Sequence, residues 1–199
     1  MLEMVKNVFP GDEVCSAKSK ALGCSQGKAI VAGSVCNVSG HVFVLSKTNR
    51  YQPCIDDIVI GKVTFVNQDT YKVDLNGISA VLPALSFCNA TKRNKPEISK
   101  GDYVLCKIVK TGVEPLLTCV GDGFGKLSDI VVPLEPWRIR QLYMDDTLSR
   151  IGKKFKFRIA LGLNGMLWID CERPTDTREI IHLINTSQYS FLDKKHSYK

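Results

Sequence analysis

The sequence predicts a mainly β protein with a C-terminal α+β module, built from several small units. Short apolar runs bounded by Gly, Asn and Asp recur up to about residue 120, a pattern typical of small β-sheet domains. Beyond that point the hydrophobic period changes, and helical patterns alternate with strands. Aromatic residues make up only 8% of the 199 residues, which favours several small cores over one large core. We therefore expect units at residues 1–54, 55–120 and 121–199.

The first unit is rich in Gly, Ser and Val and is predicted to be a small all-β module. Its apolar runs at 28–33 and 41–45 indicate short strands that glycines separate.

A shared turn signal precedes three strands of the chain. Gly11-Asp12 and Gly101-Asp102 join a residue that accepts a positive φ to an Asp that can bond the backbone of its own turn. The middle copy, Asp56-Asp57, has lost the glycine. We expect each pair to begin a strand.

The second unit contains five strand candidates in about 65 residues, which is the size of an OB-type barrel. The candidates are residues 58–66, 70–75, 78–82, 103–109 and 116–120. Tyr71 and Phe65 fall on the face of their strands that carries valines, so both are predicted to lie in the core.

A basic loop follows the third barrel strand. Lys92, Arg93 and Lys95 lie within four residues, and Pro96 stiffens the end of the loop. A small barrel with such a loop favours single-stranded RNA as the partner, because clustered cations hold a phosphate backbone. With few aromatic side chains available for stacking, we expect the barrel to hold the RNA backbone more than its bases.

The third unit predicts helices at 136–144, 146–152 and 175–189. A strand at 154–159 places Lys154, Lys156 and Arg158 on one face, which is either the solvated face of a sheet or a surface for RNA or an acidic protein. The segment at 162–165 predicts a tight hairpin, with Asn164 and Gly165 in unusual dihedrals, before a strand at 166–171.

Other function classes find little support in the sequence. The net charge of +7 favours a polyanionic partner only weakly, and the eight Cys, without a CxxC pair, predict reduced buried thiols rather than a metal site. The three His lack evident triad partners, so we expect no catalytic residue, no cofactor and no small-molecule substrate. The glycine-rich run at 121–126 does not match a nucleotide-binding loop. No signal peptide or membrane helix is expected, which suggests a reducing compartment.

Three motifs resemble a known family. They are YKVDL at 71–75, NATKRNKP at 89–96 and GLNGMLWI at 162–169. Together they resemble the cap subunits of the eukaryotic RNA exosome of the ribosomal RNA-processing protein 40 type, which combine an N-terminal β module, an S1 domain and a KH domain. The third motif looks like the family signature GxNG-x-[IL]-W, and the resemblance implies that the turn formed by Gly162, Asn164, Gly165 and Trp168 packs against the S1 barrel. Asp56 departs from the family, which commonly has Gly at that position.

The resemblance implies a non-catalytic role. Such subunits brace a ring of RNase PH-like proteins beside other cap subunits and guide RNA toward 3′ to 5′ degradation, in the nucleus and nucleolus and also in the cytoplasm. RNA contact is then expected at Lys92, Arg93 and Lys95, with Lys62 and Lys107 as further candidates on the barrel. The alternative is a free S1/KH RNA-binding protein associated with ribosomes or translation.

Overall fold

The structure, a computed structural model, describes residues 2–15, 23–38, 41–46, 50–128 and 130–186. Within these ranges it contains three hydrophobic cores, one in each part of the chain. The predicted fold class, mainly β with a C-terminal α+β part, is confirmed.

The first part contains five short strands: β1 (Leu2–Val8), β2 (Cys24–Ser25), β3 (Lys28–Ala29), β4 (Gly33–Val38) and β5 (His41–Leu45). The antiparallel sheet has the order β1-β4-β5, and β2 pairs with β3 beside it. The strand predicted at 41–45 is confirmed, but the strand predicted at 28–33 ends at Ala29. Sequence reasoning did not predict β1 and β4, because Lys6, Asn7, Ser34 and Asn37 interrupt their apolar pattern.

The second part is a closed five-stranded barrel of the OB type, as predicted. Its strands are β6 (Ile58–Val66), β7 (Thr70–Asp74), β8 (Ser79–Pro83), β9 (Tyr103–Lys110) and β10 (Leu116–Thr118). The barrel closes because β10 pairs with both β8 and β9. A sixth strand, β11 (Gly125–Leu127), pairs with β9, so the barrel sheet continues past residue 120. The three unit boundaries themselves stay a prediction.

The third part is an antiparallel sheet covered by helices. It contains β12 (Val131–Pro133), α1 (Pro136–Met144), α2 (Thr147–Gly152), β13 (Phe157–Gly162), β14 (Met166–Cys171) and α3 (Pro174–Thr186), with the sheet order β12-β14-β13. Ile180 and Ile184 of α3 and Ile139 of α1 are buried in one core with Leu167 and Ile169 of β14. The end predicted for the last helix, near residue 189, lies outside the described residues.

The strand predicted from residue 154 begins three residues later. The N–H groups of Lys154 and Phe155 both donate to the carbonyl of Ile151, which continues the turn after α2, and β13 starts at Phe157. Lys154, Lys156 and Arg158 are all exposed, as the predicted alternation requires, but only Arg158 lies in the strand, so the predicted start of the strand is wrong.

The shared turn signal has the same geometry in all three copies. The residue before the Asp has a positive φ each time: +100° at Gly11, +72° at Asp56 and +101° at Gly101. The Asp carboxylate then accepts the N–H group three residues before it, at 2.8 Å (Asp12 from Phe9), 3.0 Å (Asp57 from Cys54) and 2.8 Å (Asp102 from Ser99). In the third copy, hydrogen bonds from Lys126 and the Ser99 N–H lower the pKa of the Asp102 carboxyl.

Candidate nucleic-acid interface

The basic loop is fastened to the end of the barrel by its own residues. The Lys95 ammonium donates to the carbonyl of Gln68 and lies 3.4 Å from the Asp69 carboxylate, both in the turn after β6. The Tyr71 hydroxyl donates to the Pro96 carbonyl at 3.3 Å, and Ile98 is buried in the barrel core. The loop therefore has a fixed base.

Lys92 and Arg93 form the exposed tip of this loop. Thr91 and Asn94 exchange two backbone hydrogen bonds, of 3.0 and 3.1 Å, and thereby close a tight turn around the two cations. Within the described residues, no carboxylate pairs with either cation. The tip can thus offer two positive charges to an anionic ligand, whereas the charge of Lys95 is committed to the anchor.

The two further barrel candidates lie in different surroundings. Lys62 is exposed on β6, with its ammonium 5.7 Å from the ring centroid of Tyr103. Lys107 is half-buried, and its ammonium lies 2.7 Å from the Asp56 carboxylate. It pairs with Ile58 at the start of β6, on the order of 30 Å along the chain from the anchor of the loop. The structure thus groups Lys62 more closely with the loop and leaves Lys107 apart.

The two aromatic residues that were predicted to lie in the barrel core differ in exposure. Tyr71 is buried, as predicted, and meets Phe87 edge-on at a centroid distance of 6.2 Å. Phe65, predicted to be in the core, is instead 59% exposed. The pairing of β6 with β7 shifts between Val63 and Phe65, because Thr64 is an extra residue in β6, and the shift turns Phe65 outward.

A carboxylate that sequence reasoning missed contacts the outer face of β7 and β8. Glu114, in the loop between β9 and β10, accepts a hydrogen bond from the Lys72 ammonium at 2.5 Å, which lowers the pKa of its carboxyl, and one from the Ser79 hydroxyl at 3.4 Å. Lys72 therefore has a local counter-ion. No sequence spacing joins residues 72 and 114, so only the closed barrel reveals this pair.

The GxNG turn joins the third part to the barrel. Asn164 is fully buried, its side-chain oxygen accepts the Ile60 N–H at 3.1 Å, and its amide donates to the Ile60 carbonyl at 2.8 Å. The N–H of Leu163 donates to the Ile58 carbonyl at 2.9 Å. The turn thus supplies hydrogen-bond partners to the edge of β6 that faces away from β9, where the pairing with β7 begins only at Lys62.

Both glycines of the turn allow this close approach. A Cβ at Gly162 would lie 2.5 Å from the Asn164 side-chain oxygen, and a Cβ at Gly165 would lie 2.4 Å from the Leu134 carbonyl. Gly165 has the expected positive φ, +86°, but Asn164 does not, so its predicted dihedral is wrong. Asn164 is therefore needed at this position for the hydrogen bonds of its side-chain amide rather than for an unusual backbone conformation.

Trp168 lies on β14 of the same hairpin. Its indole N–H donates to the Ser128 hydroxyl at 2.9 Å, and the Arg158 guanidinium lies 5.8 Å from its ring centroid. Arg158 also pairs with Asp170 across the two strands. Arg158, exposed as predicted, therefore already has a partner.

The cysteines are less uniformly buried than predicted. Cys36, Cys106 and Cys119 are buried, but Cys54 and Cys88 are exposed. Burial raises the pKa of the Cys106 thiol, whose sulfur lies 3.1 Å from that of Cys119. Across the described ranges, no group of three or more His, Cys, Asp or Glu side chains could hold a metal ion. Among the helices described, none has the length and apolar character needed to cross a membrane.

Comparisons with known proteins agree with this architecture. A family model described as the S1 domain of exosome complex component RRP40 matches residues 51–129, and a KH-domain model matches residues 130–175. The putative exosome complex component rrp40 of Dictyostelium discoideum is 30% identical over 158 residues, which cover 74% of this chain and 67% of the relative. The exosome complex component RRP40 of Homo sapiens is 28% identical over 198 residues, covering 94% and 72%.

A solved structure supports the same relationship. A crystal structure described as a putative exosome complex RNA-binding protein superimposes with a TM-score of 0.57 at 25% identity, covering 71% of this chain and 89% of the other. The barrel, the KH-type part and the shared sequence together assign the chain: it belongs to the RRP40 family of exosome complex components.

Proposed function

We propose that the chain is a non-catalytic, RNA-binding cap subunit of the RNA exosome. It braces the RNase PH-like ring and guides single-stranded RNA into the 3′ to 5′ degradation channel. The observation that carries the RNA contact is the exposed Lys92–Arg93 tip on a loop whose base is fixed. A fixed base lowers the entropy that the loop loses when RNA binds.

The chemistry of the loop supports binding rather than cleavage. The tip offers two cations and the polar side chains of Thr91 and Asn94. Ammonium and guanidinium groups hold phosphate groups through charge and hydrogen bonds. We therefore assign degradation to an associated nuclease.

The partners follow from the family. We infer contacts with RNase PH-like ring subunits and with the other cap subunits, and a location in the nucleus, the nucleolus and the cytoplasm. The names of the relatives, which describe exosome complex components, support this inference.

Co-purification tests the proposal. The tagged chain, expressed at native level in its own cells, should co-migrate on size exclusion with a large complex in which mass spectrometry identifies RNase PH-like proteins. The purified chain alone should leave end-labelled single-stranded RNA intact. Recovery with ribosomes and without ring proteins would instead support a free S1/KH RNA-binding protein, and RNA cleavage by the pure chain would contradict the non-catalytic role.

A further inference from the structure

Phe65 exposes an aromatic ring at the end of β6. Thr64, Phe65 and Val66 are all exposed, so this strand end projects from the barrel into solvent. Thr64, the extra residue, is held by a 3.2 Å hydrogen bond from its hydroxyl to the Lys72 carbonyl. The outward orientation of Phe65 is therefore built into the register of the sheet. Burying such a ring would stabilise the fold, and the chain forgoes that contribution.

A cation without a carboxylate partner lies on the same strand as the ring. Lys62 is exposed, and among the described residues no ion pair involves it. Lys72 of β7, which pairs with Phe65, is already neutralised by Glu114. Only two residues separate Phe65 from Gln68, whose carbonyl anchors Lys95 of the basic loop. The ring thus lies between a cationic strand position and the base of the loop that carries Lys92 and Arg93.

The neighbouring barrel face is less suited to an anionic ligand. OB-type barrels commonly bind oligonucleotides across their second and third strands, which correspond here to β7 and β8. On that face Glu114 neutralises Lys72 and also contacts Ser79, and it adds a carboxylate of its own. Because Phe65 is the cross-strand partner of Lys72, it borders this face, and a phosphate backbone beside the ring is favoured toward Lys62 and the basic loop rather than toward Glu114.

We propose that Phe65 stacks on an unpaired base of the RNA strand whose phosphates the basic loop holds. The barrel then contacts bases as well as phosphates. Because every base has a π-face, this contact adds affinity without fixing a sequence. The inference rests on the proposed RNA contact and names the residue that receives the base.

The test compares two RNAs and four proteins. Binding of the full chain to a labelled oligoadenylate is measured beside binding to an abasic ribose-phosphate strand of the same length. Phe65→Ala should weaken oligoadenylate binding about 5- to 150-fold and leave abasic binding and the salt slope unchanged. Phe65→Tyr, which keeps a ring, should bind like the unchanged chain. Phe9→Ala removes a matched ring that is 70% exposed in the first part, and it should have no effect.

Each other outcome overturns the inference. Equal oligoadenylate binding by the unchanged chain and by Phe65→Ala shows that the ring receives no base. An equal loss on both RNAs, or a loss in Phe65→Tyr as well, shows that the substitution acts on the fold or the backbone contact. If Phe65→Ala instead lowers recovery of the complex while RNA binding is unchanged, the ring belongs to a protein interface. Absence of any RNA binding overturns this inference, whereas co-purification with ring proteins tests the cap role independently.

Discussion

Lys95, Lys92 and Arg93 carry the same formal charge, but their positions give them different roles. Lys95 is held by Gln68 and Asp69, so its charge fixes the loop. Lys92 and Arg93 are exposed at the tip, between the paired residues Thr91 and Asn94. We therefore expect only the tip residues to control the salt dependence of RNA binding.

Replacing both Lys92 and Arg93 by Ala tests this division of roles. Each phosphate contact on a single strand contributes about 0.7 to the slope of log affinity against log salt concentration. The double variant should therefore show a slope shallower by about 1.4 and an affinity lower by roughly 1–3 kcal/mol. Fluorescence anisotropy at several salt concentrations measures both quantities.

The control removes the same number of charges elsewhere. Lys28→Ala combined with Lys153→Ala changes two exposed lysines outside the barrel and should leave the slope unchanged. Equal slopes in the tip variant and the unchanged chain would show that the tip does not touch phosphate.

At the scale of single residues, some features of the candidate site can be predicted from the sequence and others cannot. The basic loop was identified from sequence because four consecutive polar residues leave no face to bury. The alternation of a strand predicts Phe65 in the core, and one extra residue, Thr64, reverses that alternation. The partner of Asn164, Ile60, is 104 residues away, so no local pattern could indicate it.

At the scale of elements, one turn recurs three times and begins two strands. The strand expected after Gly11-Asp12 does not form, because Glu13 makes only an isolated bridge to Lys28. The residue with positive φ and the Asp that accepts the N–H three residues earlier recur before β6 and β9 and in the turn after β1. Local chemistry fixes this turn, and for that reason the sequence predicts the first residues of β6 and β9, Ile58 and Tyr103, correctly. By contrast, the sequence predicts too early a start for β13, because the residues before it alternate in exposure without pairing in the sheet.

Asp56 tests the cost of losing the glycine from that turn. An L-residue with a φ of +72° is strained, although Asp tolerates this region better than most residues. Asp56→Gly should therefore be more stable than Asp56→Ala by about 1–2 kcal/mol in the free energy of unfolding. Urea denaturation followed by circular dichroism measures the difference.

Gln52 supplies the matched control, because it is exposed nearby and lacks a positive φ. At an ordinary position Ala restricts the unfolded chain more than Gly does, so Gln52→Ala should be more stable than Gln52→Gly. If Asp56→Ala also proves at least as stable as Asp56→Gly, the turn does not store the strain described.

At the scale of the whole molecule, the barrel and the third part share the backbone of β6. The inner face of β6 packs Val59 and Val63 into the barrel core, while its outer face buries Ile60 under the GxNG hairpin. Leu163 contacts both cores. We therefore expect the two parts to unfold as one unit.

Asn164→Ala should weaken this unit. The substitution leaves the N–H and the carbonyl of Ile60 buried without partners, at a cost of about 2–5 kcal/mol in the free energy of unfolding. Denaturation followed by both tryptophan fluorescence and circular dichroism should give coincident transitions in the unchanged chain and an earlier fluorescence transition in the variant, since Trp137 and Trp168 both lie in the third part.

The control is Asn94→Ala, which replaces an exposed asparagine of the basic loop. It should change the free energy of unfolding by less than about 0.5 kcal/mol. A similarly small effect of Asn164→Ala would contradict a role for its amide in joining the two parts.

The bond between Asn164 and Ile60 has a mechanical consequence. From the peptide unit of Ile60, β6 runs directly to the projecting strand end beside the basic loop. Because Asn164 binds both the N–H and the carbonyl of Ile60, a displacement of the GxNG hairpin would be transmitted to β6 and from there toward the base of the basic loop.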